Sequence, residues 1–257
     1  MRDEPTDRER RRRTGPRELS VAVTGRYRLM RLVVRVLVGL LYRVEAQGLE
    51  HWPQPPFLLV CNHHSGWDPL LVLAVAPERP RITWFGPREA DFGHGFKNRL
   101  MAFFGGVIPY NPEKTTLVSA VRAVRRVFVA NGVLGIFAEG RVGFRESELL
   151  PFEEGAVAFA TAAAVPVVPC AIVGSSELWF RRRVAIRIGP AIRSDAYRGA
   201  VGREELELQV VEALVALLPE REPLPPRYRP LRWIGEALDG PEDRERHRRD
   251  RRVRADR

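Results

Sequence analysis

Cysteine is scarce in this chain. Cys61 and Cys170 are the only two in 257 residues, each beside an apolar run. That leaves no disulfide framework and fits small buried side chains in a reducing compartment. Histidine is almost as rare, with five copies, and His51, His94 and His247 show no ligand spacing. Zinc-finger spacing and an RNA-binding sheet signature are both missing, so no nucleic-acid partner is expected. No G-x-S-x-G elbow occurs, which argues against a serine hydrolase. A signal peptide with its cleavage site is not discernible. Nor is there a largely apolar stretch of about 20 residues, the length a transmembrane helix needs. Internal repeats are absent too.

What is present is positive charge and a large apolar fraction. The formal charge is +10 and 45% of residues are hydrophobic. The charge suits phosphate-bearing partners, whether anionic lipid or soluble phosphoester. Much of it sits at the ends: residues 241–257 hold eight arginines against five acids, and residues 1–25 are similarly charged. Both read as flexible, solvated tails.

Between the tails, "RYRLMRLVVRVLVGLLYRVEA" (residues 26–46) has no acid before Glu45. As a helix over 26–48 it places Arg28, Arg31, Arg35 and Arg43 in one sector and leucine, valine and tyrosine over the rest. This predicts an amphipathic helix that lies on a membrane without crossing it, its arginines at anionic headgroups. A helix packed on its own domain with the basic side wet is the alternative.

From Phe57 onward, short apolar runs alternate with helical stretches, predicting a single α/β domain over 49–218 with a mostly parallel or mixed sheet flanked by helices. Strands are expected at Phe57–Cys61, Arg81–Phe85, Val133–Phe137, Val167–Val173 and Val184–Ile188. Helices are expected at Pro69–Ala76, Gly95–Phe104, Thr115–Ala130, Phe152–Ala164 and Arg203–Leu218. Over 219–240 a proline-rich linker leads to a short docking helix, "LRWIGEAL".

The stretch "VCNHHSGWDPLL" (residues 60–71) carries the chemistry. Asp68 before Pro69 resembles a helix N-cap, and Trp67 with Val72 a hydrophobic staple. That explains three residues but not Asn62, His63 and His64. Two imidazoles at the carboxyl end of a strand lie where open α/β sheets bind ligands. With a carboxylate one loop away, a histidine keeps a defined tautomer and can remove a hydroxyl proton near neutral pH. Two histidines and an aspartate are also acceptable metal ligands. Adjacent histidines usually point apart, so no metal or redox cofactor is expected.

These residues resemble a known family. "NHHSGWD" is similar to the N-H-x-x-x-x-D block of the glycerophospholipid acyltransferases of the lysophosphatidic acid acyltransferase type. "GGVIPYN", "IFAEGRVG", "ELLPFEEGAVAFA" and "VPVVPCAIVG" resemble the later blocks, in the same order. The resemblance spans about residues 28–218. It implies a membrane-associated enzyme at the cytoplasmic face. Such an enzyme moves a fatty acyl group from acyl-CoA or acyl carrier protein to a lysophospholipid or glycerol phosphate. His63 would be the general base and Asp68 its orienting carboxylate, the logic of a triad whose hydroxyl comes from the substrate. Glu139 and Gly140 match the block that shapes the acceptor site. The chain departs from the family where relatives carry phosphate-binding arginines. It has Tyr110 and Asn111 in the second block, with Lys114 the nearest cation, and Ala138, Arg141 and Val142 in the third. Lys114, Arg141 and Arg145 are the candidate phosphate ligands, an arginine fork suiting that anion well.

Two questions stay open at this level. "HHSGWD" also resembles the H-H-x-x-x-D block of the condensation-type acyltransferases, which would make His64 the base. The altered arginines also admit a glycolipid or aminolipid acceptor, or a non-catalytic lipid-binding relative. Trp84, Phe85, Phe103 and Phe104 are candidates to line an acyl pocket or simply to fill the core.

Overall fold

A computed structural model of the protein describes residues 22–86, 106–108, 117–153, 155–222, 226, 228–239 and 244–245. Helix α1 (Gly25–Leu41) begins at Thr24, whose Oγ1 accepts the Tyr27 N–H at 3.2 Å, and leads into strand β1 (Arg43–Gln47). Then follow β2 (Phe57–Cys61), α2 (Asp68–Val75), β3 (Ile82–Phe85) and β4 (Val107–Ile108). Helix α3 (Leu117–Val129) precedes β5 (Val133–Phe137), and α4 (Ala158–Ala163) precedes β6 (Val167–Val173). Strand β7 (Arg183–Ile188), α5 (Gly199–Leu217) and the short α6 (Arg232–Gly235) complete the described elements.

Among the described residues the sheet has seven strands in the order β1-β7-β6-β2-β5-β3-β4. All neighbours run parallel except β6 and β7. The mixed α/β domain expected from the alternating runs is what forms.

Strand β2 is central, and all five of its residues are buried, as a parallel strand covered on both faces requires. Its side chains alternate between two apolar layers. Phe57, Leu59 and Cys61 join α1 and α2 on one face; Leu58 and Val60 meet α3, α4 and α5 on the other. Each fully buried leucine stabilises the fold by ~1.5–3 kcal/mol, so the strand preceding His63 is firmly anchored. Both cysteines are buried and free.

Several expectations need correction. The first helix stops at Leu41, and residues 43–47, expected to be its last turn, form an edge strand beside β7. The arginine sector breaks up accordingly. Arg43 belongs to β1, and Arg31 is buried, its guanidinium donating to the carbonyls of Leu73 (3.4 Å) and Ala76 at the end of α2. Unpaired carbonyls at a helix C-terminus attract a cation. With Arg31, Val34 and Val38 turned inward, the outward face of α1 is apolar: Leu29, Leu32, Val33, Val36, Leu37 and Leu40 are exposed, bordered by exposed Arg28 and Arg35. No helix of the described residues is long and apolar enough to cross a membrane. Helix α4 starts later than expected because residues 155–157 form a tight turn, with Gly155 at φ +80° and the Ala158 N–H donating to its carbonyl. The helix expected at Gly95–Phe104 lies outside the described residues.

Candidate active site

The carboxyl ends of β2, β5 and β6 converge on the loop that carries the two histidines. Asn62 extends the ladder by side chain alone: its Oδ1 accepts the Ile172 N–H (2.7 Å) and its Nδ2 donates to the Ile172 carbonyl (3.0 Å). The chain then wraps around the fully buried carboxylate of Asp68. Oδ2 accepts the His64 N–H (2.6 Å) and the Ser65 N–H (2.9 Å), and lies 2.9 Å from His63 Nδ1. Asp68 does not cap its helix, as local sequence suggested. It is the first residue of α2 and its side chain turns back to the residues before it.

This geometry fixes the His63 tautomer. A carboxylate only accepts, so Nδ1 carries the proton and, in the neutral ring, Nε2 keeps its lone pair. Burial pushes the Asp68 carboxyl up, but the His63 hydrogen bond, the two nearby imidazoles and the Ser65 amide outweigh it and hold the group below the usual aspartate range. The His63 side chain is 19% exposed. Its ring stacks on Phe137 (4.2 Å, 22°), which stacks on Trp84 (4.9 Å, 4°). The indole fits over β5 because residue 135 is glycine; a Cβ there would come within 2.6 Å of it.

His64 is placed differently. It is fully buried, 3.2 Å from Asn62 Nδ2 and 3.6 Å from Glu146 Oε2. Glu146 in turn accepts the N–H groups of Gly174 (2.7 Å) and Ser176 (2.9 Å) and the Ser176 hydroxyl (2.6 Å).

Glu139 is also buried, and both of its oxygens accept backbone amides, Oε1 from His63 (3.0 Å) and Oε2 from Leu150 (3.1 Å). Burial pushes its carboxyl up, with these amides and the imidazoles pulling the other way. The Gly143 N–H donates to the His63 carbonyl at 2.7 Å, so the loop after β5 grips the His63 backbone on both sides. Gly140 has φ +62°, and a Cβ there would meet Glu153 at 2.5 Å, so the turn demands glycine. Arg141 is exposed beside it. Arg145 is exposed and bonded to Glu148 at 2.6 Å. Lys114, with Tyr110 and Asn111, lies outside the described residues, as do Phe103 and Phe104. Sequence reasoning singled out His63, Asp68, Glu139 and Gly140. It missed Phe137, Gly143, Glu146 and Asp239, whose part depends on contacts far along the chain.

A mixed, mostly parallel α/β sheet with a histidine–carboxylate pair at its strand ends defines an enzyme-like class of domain. The acyltransferase family model matches residues 43–173, just over half of the chain, and the chain belongs to that family. The chain is 27% identical to the 1-acyl-sn-glycerol-3-phosphate acyltransferase alpha of Bos taurus, over 66% of its own length and 61% of that protein's. The chain thus spans about six-tenths of that relative. It is 24% identical to the 1-acyl-sn-glycerol-3-phosphate acyltransferase of Bacillus subtilis, covering 76% of this chain and 96% of that one. The fold matches the crystal structure of the 1-acyl-sn-glycerophosphate acyltransferase PlsC from Thermotoga maritima with a TM-score of 0.56 and 21% identity, over 74% and 78% of the two chains.

Proposed function

We propose that this protein transfers a fatty acyl group from a thioester, acyl-CoA or acyl carrier protein, to a hydroxyl of a lysophospholipid or glycerol phosphate. The observation that carries this reading is the 2.9 Å contact between His63 Nδ1 and buried Asp68, with the imidazole still reachable at the strand ends. In the reaction, Nε2 of His63 takes the acceptor hydroxyl proton as the oxygen attacks the thioester carbonyl. The carbon–sulfur bond breaks, and the imidazolium returns its proton to the departing thiolate. Asp68 holds the ring and stabilises the imidazolium. Glu139 acts through the loop it braces. Arg141, and Arg145 on release from Glu148, would meet an acceptor phosphate, together with Lys114. The names of the bovine and bacterial relatives support this acceptor class.

Thiol release from palmitoyl-CoA is the direct test. Release should rise when lysophosphatidic acid is added. Stimulation by uncharged acceptors alone would transfer the assignment to a glycolipid or aminolipid, a reading favoured by the engagement of Arg145 with Glu148. No release with any acceptor would leave a lipid-binding relative.

The outward face of α1 is read as the membrane contact, its apolar side chains at the acyl boundary and Arg28 and Arg35 at the headgroups. Replacing Val33, Val36 and Leu40 together by serine should weaken flotation with anionic vesicles by ~10²-fold or more, since each aliphatic side chain withdrawn from water is worth ~1.5–3 kcal/mol. Flotation equal to the parent would exclude this face as the docking surface.

A further inference from the structure

The C-terminal segment returns across the site outside the residues matched by the family model. The Pro230 carbonyl accepts the Phe180 N–H at 2.7 Å, and the Ile234 carbonyl accepts Trp67 Nε1–H at 3.1 Å. Arg229 and Arg232 approach Glu177. Two glycines make the contact close. A Cβ at Gly66 would fall 2.3 Å from the Leu238 carbonyl oxygen, and one at Gly235 would fall 2.7 Å from Leu178.

Asp239 in this segment is only 6% exposed. Its Oδ1 accepts the Gly66 N–H (2.8 Å) and the Ser65 hydroxyl (3.1 Å). Every amide of the His63–Asp68 loop is then satisfied: His63 by Glu139, His64 and Ser65 by Asp68, Gly66 by Asp239, Trp67 by the Ser65 hydroxyl, and Asp68 by the Ser65 carbonyl. Glu139 fixes the beginning of the loop and Asp68 gathers its middle. The one side chain from beyond residue 200 that bonds to the loop is Asp239, among the described residues. Without it, the Gly66 amide and the Ser65 hydroxyl lose their acceptor, and so does the turn that sets the reach from His63 to Asp68.

We propose that Asp239 is a positioning residue for acyl transfer, carried on a C-terminal strap (residues 228–239) that holds the His63–Asp68 loop in its productive shape. This rests on the reading of His63 as the base. Both bonds end on one oxygen, so asparagine can replace aspartate if its carbonyl takes that place. A displaced catalytic group costs up to ~10²-fold in rate without weakening substrate binding.

The test compares D239A and D239N in the full chain by steady-state kinetics and by amide hydrogen exchange of peptides covering residues 62–68. D239A should lose ~10- to 100-fold in kcat, with KM for thioester and acceptor nearly unchanged and faster exchange in that loop. D239N should recover both. Loop exchange and kcat in D239A equal to the parent would overturn the proposal, as would a D239N no better than D239A. If D239A fails to fold, S65A removes one of the two bonds and the acceptor of the Trp67 amide with it; it should show the same signature, and parental behaviour there would overturn the proposal. The base assignment is read separately: a fully active H63A would refute it while leaving loop exchange in D239A able to report on the strap.

Discussion

H63A is expected to lower turnover by ~10²- to 10⁴-fold, the usual contribution of a positioned general base, in a protein that remains folded. The ring is partly exposed, bonds only through Nδ1 to Asp68 among the described residues, and stacks on Phe137, so its loss leaves a small surface gap. The backbone amide that Glu139 accepts survives the substitution. KM for the acceptor should change little, because the imidazole takes a proton and contributes little to binding. H64A is expected to behave in the opposite way. That ring is fully buried beside Asn62 and Glu146, so removing it opens a cavity next to a buried carboxylate, and the loss falls on stability. Single-turnover thiol release and urea titration of both variants separate the two outcomes. A folded H63A with parental turnover, or a folded H64A that has lost it, would move the base to position 64.

The central strands were legible because a parallel strand buried on both faces must be written as an unbroken apolar run. "FLLVC", "VLGIF" and "VVPCAIV" are such runs, and β2, β5 and β6 form on those residues. β1 was not legible. "RVEAQ" alternates as an edge strand does, but a single residue, Tyr42, separates it from a long helix whose periodicity swallows it. A helical wheel could place the arginines in one sector yet could not say which sector faces the sheet. Arg31 turns inward because the end of α2 offers it unpaired carbonyls, a tertiary fact that no local pattern carries.

The site divides along the same line. His63 and Asp68 were readable because their chemistry is local, five residues apart on one loop. The work of Glu139 was only partly readable: its position in the "AEG" turn marked it, but its bonds to the amides of His63 and Leu150 come from sheet order. Asp239 lay beyond reach. Its partners are 173 and 174 residues away, and the sequence around it reads as the end of a short docking helix without saying where that helix docks.

Asp68 offers the second large effect, and its two substitutions should differ. All three bonds at this side chain converge on Oδ2, while Oδ1 is buried with no partner among the described residues. In D68N the His64 and Ser65 amides select the carbonyl oxygen for the Oδ2 place. Nδ1–H of His63 then keeps its acceptor and the tautomer survives. What disappears is the charge that stabilises the imidazolium, so turnover should fall by ~10²-fold. D68A loses tautomer, ring orientation and charge together, approaching the ~10⁴-fold limit of a disabled histidine base. It also leaves two buried amides unpaired at ~1–3 kcal/mol each. The pH dependence carries a sign. Because the folded carboxyl is held below its ordinary value, the stability it contributes is complete above the unfolded pKa of ~4 and is lost as pH falls through the folded one. The stability gap between the parent and D68N, from urea titrations across pH, should therefore narrow in strong acid. A D68N as inactive as D68A would mean that the backbone amides do not select the oxygen, and that the loop does not fix the tautomer in this way.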